Sequence, residues 1–328
     1  MQVREYDADD AESVEADRQI LNAAHRSDCP WLPEVTPYRR QMQLRYGWDQ
    51  SPERHLLACI DGKAVALAEV ELGEWDNRDL VWFYLVVHPE HRRSGVGTAL
   101  LSEISTMGRR DGRTKIGGAW WQTPATEDFA RHHGFELASQ EIYRRVTLAD
   151  LPAGFADMAY AEAAPHARDY ELVRIEGYAP ATMLPALADL TASINDAPID
   201  DLDIEDEVFP VERIQDYEGA AIKSGNRLYR VVARHRETGR LGGHTVVVVD
   251  SERPELAHQH DTSVSRHHRG HRLGLILKAD LMRWLAVAEP QVVSIDTWNA
   301  ESNDHMIRVN ERLSYRPLGR ELAFQRRL

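Results

Sequence analysis

The sequence predicts an α/β protein built from two tandem copies of one domain. Three observations lead there. The chain has 328 residues, enough for two domains of ordinary size. A segment, LVVHPEHRRSGVGTALL (85–101), returns as TSVSRHHRGHRLGLILK (262–278). Each reads as a strand, a short basic loop and an amphipathic helix. Val87, Arg92 and Gly97 match Val264, Arg269 and Gly274 at one offset of 177 residues, and Gly134-Phe135 resembles Ser314-Tyr315 at an offset of 180.

The elements follow in the same order twice. Residues 2–6 and 171–175 read as opening strands, and 10–26 and 181–194 as polar helical stretches. Leu56–Ile60 and Leu228–Ala233 read as strands, turned by Asp61-Gly62 and Thr238-Gly239. Ala64–Glu71 and Gly242–Val249 complete hairpins. Pro, Gly and Ala concentrate in LPAGFADMAYAEAAPHA, which places a linker at 153–168 between domains 1–152 and 169–328.

Composition narrows the function. Hydrophobic residues are 43% and charged residues 28%, so each half can bury a core. A formal net charge of −14 argues against sequence-independent nucleic-acid binding, which needs cations to neutralise phosphates. It suits a cationic partner, although solubility accounts for an acidic surface equally well. Cys29 and Cys59 form no zinc-type spacing, the first residues are polar, and the longest apolar run, Leu80–Val87, is too short for a bilayer. A cytoplasmic protein without membrane contact is expected.

Arg92-Arg93-Ser94-Gly95-Val96-Gly97-Thr98 lies between a strand and a helix. Glycines let backbone approach a ligand, and consecutive N–H groups at a helix start cradle an anion. Arginines add charge-assisted contacts, so the chemistry points to pyrophosphate. A left-handed turn that merely packs helix on strand is the alternative. The frame V-x-P-x-x-R-x-x-G-x-G resembles the acetyl-CoA motif of the GCN5-related N-acetyltransferase (GNAT) superfamily. The second half resembles tandem-domain actinobacterial members, through Asp261–Gly274 with Lys278 and through Thr297–Leu313. The resemblance implies a mixed sheet whose fourth and fifth strands splay, with the pantetheine arm in the gap and pyrophosphate on the next loop. It implies acetyl-CoA as co-substrate, no metal, and direct transfer in a ternary complex. By the same resemblance Val264, Arg269, Gly270, His271, Arg272, Leu273, Gly274, Asn299 and Asn303 would contact CoA in the second domain. Val87, Arg92, Arg93, Ser94, Gly95, Val96, Gly97 and Thr98 would do so in the first. Arg272 replaces the first glycine of the frame, which costs strain if its φ is positive. One of the two asparagines has the ordinary alternative of capping a helix.

Acetyl transfer to an amine needs a base, because only the neutral amine attacks. It needs N–H groups at the developing oxyanion, and a proton for the thiolate. In a regular strand His258, His260, Thr262 and Val264 share one face. His258 and His260 are base candidates, as in arylalkylamine N-acetyltransferases, or simply strand residues with hydrogen-bond partners. Asp261 is a second choice. The superfamily's usual acid tyrosine is replaced by Ala130 and Asn310, and Tyr315 is the substitute. The first domain has apolar and aromatic residues on Val81–Val87 and is expected to bind CoA without catalysing. The acidic run NDAPIDDLDIEDE (195–207) is either a lip for an amine-rich acceptor or a solvated loop. His267, His268 and His271 fall inside the phosphate loop, where anion contact or exposure outweighs zinc. Trp75, Trp82, Trp120 and Trp121 serve a core or a seam. The expectation is an N-acetyltransferase of a small amine, polycations included, active in residues 169–328 and with a degenerate first domain. A non-catalytic acyl-CoA-binding protein and activity in the first domain are the alternatives. Monomer and homodimer both fit.

Overall fold

The computed structural model describes all 328 residues. Contacts divide the chain into two units. Unit 1 holds Met1–Glu141, Ile199–Glu207 and Gly319–Leu328; unit 2 holds Ile142–Pro198 and Val208–Leu318.

Unit 1 begins with β1 (Gln2–Tyr6), α1 (Ala11–Asp28) and α2 (Pro37–Tyr46). It continues through β2 (Arg54–Ile60), β3 (Lys63–Glu71), β4 (Leu80–Val87), α3 (Val96–Arg110), β5 (Lys115–Trp121) and α4 (Pro124–His132). Asp10 starts α1 by accepting the Ser13 amide at 3.1 Å. Its apolar stripe, Val14, Ile20, Leu21 and Ala24, buries against Leu57, Leu67 and Val86 on one sheet face. On the other face α3 buries Leu100, Leu101 and Ile104 against Ala66, Ala68 and Phe83. The strands run in the order β1-β2-β3-β4-β5-β12, where β12 is Arg316–Arg327. β12 lies antiparallel to β5, from Glu321 opposite Trp121 to Arg327 opposite Lys115. The last strand of unit 1 therefore comes from the C-terminal end of the chain.

Unit 2 takes its edge strand from the other half in the same way. β6 (Glu136–Thr147) passes into unit 2 at Ile142. The strand order is β6-β11-β10-β9-β8-β7, with β7 at Tyr170–Glu176, β8 at Arg227–His235, β9 at Leu241–Val249, β10 at Leu256–Val264 and β11 at Ser294–Ala300. β8 and β9 are buried on both faces over most of their length, so neither alternates apolar with polar residues, and the buried Arg230 of β8 pairs with Glu218. The helices are α5 (Phe155–Ala163), α6 (Leu184–Thr191), α7 (Val211–Lys223), α8 (Leu273–Ala288) and α9 (Asp304–Arg312).

The stretch read as a linker is helical over α5. Its Ala159 and Ala163 are buried in the core that α8 builds. Small side chains that resemble linker composition are what lets this helix pack closely. No helix is long and apolar enough to cross a membrane.

Candidate active site

In each unit two parallel strands meet and then part. β4 and β5 pair only from Leu80↔Lys115 to Trp82↔Gly117, and β10 and β11 only from Leu256↔Ser294 to His258↔Asp296. Beyond those points the facing backbones lose this mutual pairing. A gap of that kind offers amide groups to an extended, amide-bearing arm.

The loops after β4 and β10 share one backbone. Arg93 and Gly95 have φ of 63° and 84°, and Gly270 and Arg272 have 86° and 51°. Arg272 thus carries the left-handed strain that glycine avoids at position 95. Neither α3 nor α8 has a side-chain cap at its N-terminus. A Cβ placed on Gly95 or Gly270 would meet nothing within 4 Å, so both loops are open at these residues. That is the fit an anionic diphosphate needs. Gly97 is there for a different reason: its Cβ would stand 3.1 Å from the Phe129 ring.

Not every loop side chain expected at phosphate is available for it. Arg92 donates to the Val87 carbonyl at 3.1 Å and clamps Asp28 at 2.9 and 2.6 Å. Arg269 repeats the device, on the Val264 carbonyl at 3.3 Å and Asp196 at 2.8 Å. Each clamp ties the loop to the end of the first long helical segment of its unit. Arg272 donates to Glu162 at 3.0 Å, and the His271 ring lies 3.3 Å from the His166 carbonyl oxygen. Thr98 pairs with His133 at 3.1 Å. Arg93, Ser94 and Gly95 are exposed, whereas Val96, Leu273 and Gly274 are buried in the helix packing.

In unit 2 a bulge between Gln259 and Thr262 breaks the alternation of β10. Gln259 donates to the Thr245 hydroxyl at 2.9 Å, and Thr262 reaches the same hydroxyl at 2.7 Å. Thr262 therefore sits with Gln259, and the single face expected for His258, His260, Thr262 and Val264 is not formed. The His260 ring lies 2.6 Å from the Tyr217 hydroxyl, and burial raises the Asp261 carboxyl. Tyr315, the substitute acid, is 1% exposed and packed in the core, where burial pushes its hydroxyl far above the usual range.

A group that the sequence placed in a motif without a role lies beside Tyr315. Lys278 is 1% exposed and donates to Asn310 Oδ1 at 2.6 Å, and Asn310 donates to Asn299 Oδ1 at 3.0 Å. The ammonium stands 4.5 Å from the centre of the Tyr315 ring. Burial lowers Lys278 to about 7. Asn299 thus joins a buried network, while Asn303 caps α9 by accepting the Met306 amide at 3.2 Å.

Unit 1, expected to lack reactive groups, holds a cavity of about 360 Å³. Glu53, Glu69, Glu71, Glu141 and Glu321 line it with Trp82, Phe83, Tyr84, Ala119, Ser139, Leu202 and Ala323. It begins where β4 and β5 part: Glu71 faces Trp82 and Glu69 faces Tyr84 across the β3–β4 pair. Arg40 of α2 pairs with both Asp17 and Glu69, and its charge keeps Glu69 below the carboxylate range against the cost of burial. Burial and the charge of Glu69 push Glu53 up to about 9. Burial, then Glu141, pushes Glu321 up to about 7. The acidic run supplies part of the wall: Leu202 lines the cavity, Asp200 accepts from Ser139 at 2.6 Å, and Asp203 accepts from Lys115 at 3.1 Å. The available signal was a charge inside an apolar strand, KAVALAEVE. The other carboxylates, Glu53, Glu141 and Glu321, are scattered along the chain and carry no common motif. No three His, Cys, Asp or Glu side chains converge as a metal-ligand set.

Parting parallel strands that lead into an amide-lined loop, made twice in one chain, define the class as a tandem acyltransferase-type α/β fold. Residues 18–135 match the Acetyltransferase (GNAT) family. The whole chain is similar to a tandem GNAT protein from the clavulanic acid biosynthesis pathway, with a TM-score of 0.79 and 23% identity over 99% of this chain and 98% of that one. That likeness concerns the fold. Two curated relatives are both named mycothiol acetyltransferase. The one from Nocardiopsis dassonvillei is 34% identical over 112 residues, or 34% of this chain and 32% of its own. The one from Nocardia farcinica is 30% identical over 177 residues, or 52% of this chain and 54% of its own. The chain thus spans about half or less of the curated relatives it matches.

Proposed function

We propose that this protein transfers an acetyl group from acetyl-CoA directly to a small amine, and that the amine enters the unit 1 cavity. The carboxylate-lined cavity at the parting of β4 and β5 carries this reading. The family match over 18–135 and the relatives named mycothiol acetyltransferase support acetyl transfer to a small molecule. Acetyl-CoA supplies the activated acetyl group as a thioester. The open N–H groups of Arg93–Thr98 hold its diphosphate, and the backbone of β4 beyond Trp82 faces its arm.

The chain's own residues do the rest. An ammonium is drawn into the cavity by the carboxylates. Glu321, near neutrality, takes its proton, which frees the nitrogen lone pair for attack. The C–N bond forms as the C–S bond breaks, and solvent protonates the sulfur, since Ala130 offers no proton.

A second reading places transfer in unit 2, with His258 or His260 as base. The bond between His260 and Tyr217 favours it. One experiment separates the two. Thiol release from acetyl-CoA is measured with an amine panel for Glu321→Gln and for the His258→Ala/His260→Ala double variant. Unit 1 catalysis predicts a loss of roughly 10²–10⁴-fold in the first and less than about twofold in the second. The reverse pattern would move the site to unit 2. Release by none of the panel would end the transferase reading.

A further inference from the structure

We infer that the unit 1 cavity takes an acceptor with two cationic nitrogens, a short-chain diamine, held between two separate carboxylate groups. This rests on the reading of that cavity as the acceptor site.

The carboxylates fall into two sets on either side of Tyr84. Glu69 and Glu71 stand on β3 opposite Tyr84 and Trp82 of β4, with Glu53 hydrogen-bonded to Glu69, whereas Glu321 stands on β12, on the far side of β5. Glu141 in turn responds to Asp200. Tyr84, on β4, lies in the sheet between the strand of Glu69 and the strand of Glu321. Arg40 is the cation that acts on Glu53 and Glu69. It is already engaged by Asp17 and Glu69.

A buried carboxylate without a cation is costly and holds its proton instead. Glu141 raises Glu321 in this way, and Asp200 raises Glu141. A monoamine relieves one set and leaves the other protonated. A dication relieves both, with its apolar spacer lying along Trp82 and Tyr84. The Glu53 end anchors one nitrogen and the Glu321 end deprotonates the other for acetylation. Because Glu53 is protonated near neutrality, anchoring a cation there expels its proton. Binding and proton release are therefore linked.

The test uses the full chain and calorimetry at pH 7 in two buffers of different ionisation enthalpy, with 1,4-diaminobutane and n-butylamine as probes. The diamine is expected to bind at least about tenfold tighter and to release a proton. Glu53→Gln keeps the hydrogen bond to Glu69 but cannot ionise, so it is expected to erase both the preference and the release. Equal affinities in the native protein, or proton release that persists in Glu53→Gln, would overturn the inference. A thermal melt of Glu53→Gln matching the native one shows that the variant is folded. Thiol release is read separately. Diamine binding without thiol release leaves this inference standing and ends the transferase reading. Butylamine acetylated with the same KM as the diamine does the opposite.

Discussion

Two buried groups with displaced protonation equilibria set what single residues do. In the proposed reaction Glu321 is a base only when ionised, and burial and Glu141 push its carboxyl up to about 7. Turnover is expected to rise with pH through that value, and Glu321→Gln is expected to flatten the profile. A pH–rate curve unchanged in the variant would remove Glu321 from the mechanism. Lys278 works in the opposite direction on stability. Its folded value of about 7 lies below the ordinary 10.5, so between these the unfolded chain holds a proton that the folded chain has shed. Stability therefore rises with pH across that window, by on the order of 4 kcal/mol. Leu101 stands at the matching position in unit 1 and is fully buried, so an aliphatic chain fits there. Lys278→Met is expected to lose the dependence, as read by urea unfolding at pH 7 and pH 10. Parallel behaviour of the two proteins would refute the burial cost.

The loop-to-helix junction is the element on which the proposed cofactor site rests. Both copies adopt two left-handed residues, but only unit 1 has glycine at the second. Gly95→Ala is expected to destabilise by about 1 kcal/mol, because a Cβ at that φ crowds the following carbonyl. Arg272→Gly is expected to shift stability the other way. The gain is reduced by loss of the half-exposed pair with Glu162, worth about 0–1 kcal/mol. Denaturant midpoints of the two variants should move in opposite directions, and movement in the same direction would contradict the strain account. The clamps from Arg92 and Arg269 belong to this scale as well. The sequence shows an arginine beside a glycine loop, a pattern that fits phosphate, but the partner aspartates lie 64 and 73 residues away.

The whole molecule is governed by where its last strands go. Unit 1 is completed by Gly319–Leu328, whose Leu322 and Phe324 enter its core and whose Glu321 lines its cavity. Removing residues 319–328 is expected to abolish the unit 1 transition in a calorimetric melt while unit 2 still unfolds cooperatively. A fragment 1–152 alone is expected to show no cooperative transition, and a sharp one would mean that the strand is dispensable.

The sequence by itself determined the repeated strand–loop–helix segment, most of the strands around it and the resemblance to a tandem fold. All of these are local: a hydrophobic period, a turn signal, or a motif of some ten residues, repeated at a fixed spacing. It also marked Arg272 as a left-handed position, since its place in the frame is a glycine's. Only the tertiary structure decided which half owns β6 and β12, because two copies of one domain present equivalent edges and the pattern of a strand does not name its neighbour. The bulge at Gln259–Thr262 and the helix within the expected linker were set by packing, not by propensity. The cavity was likewise invisible, because its carboxylates come from β3, the segment before β2, β6 and β12. They converge only once those strands are laid side by side.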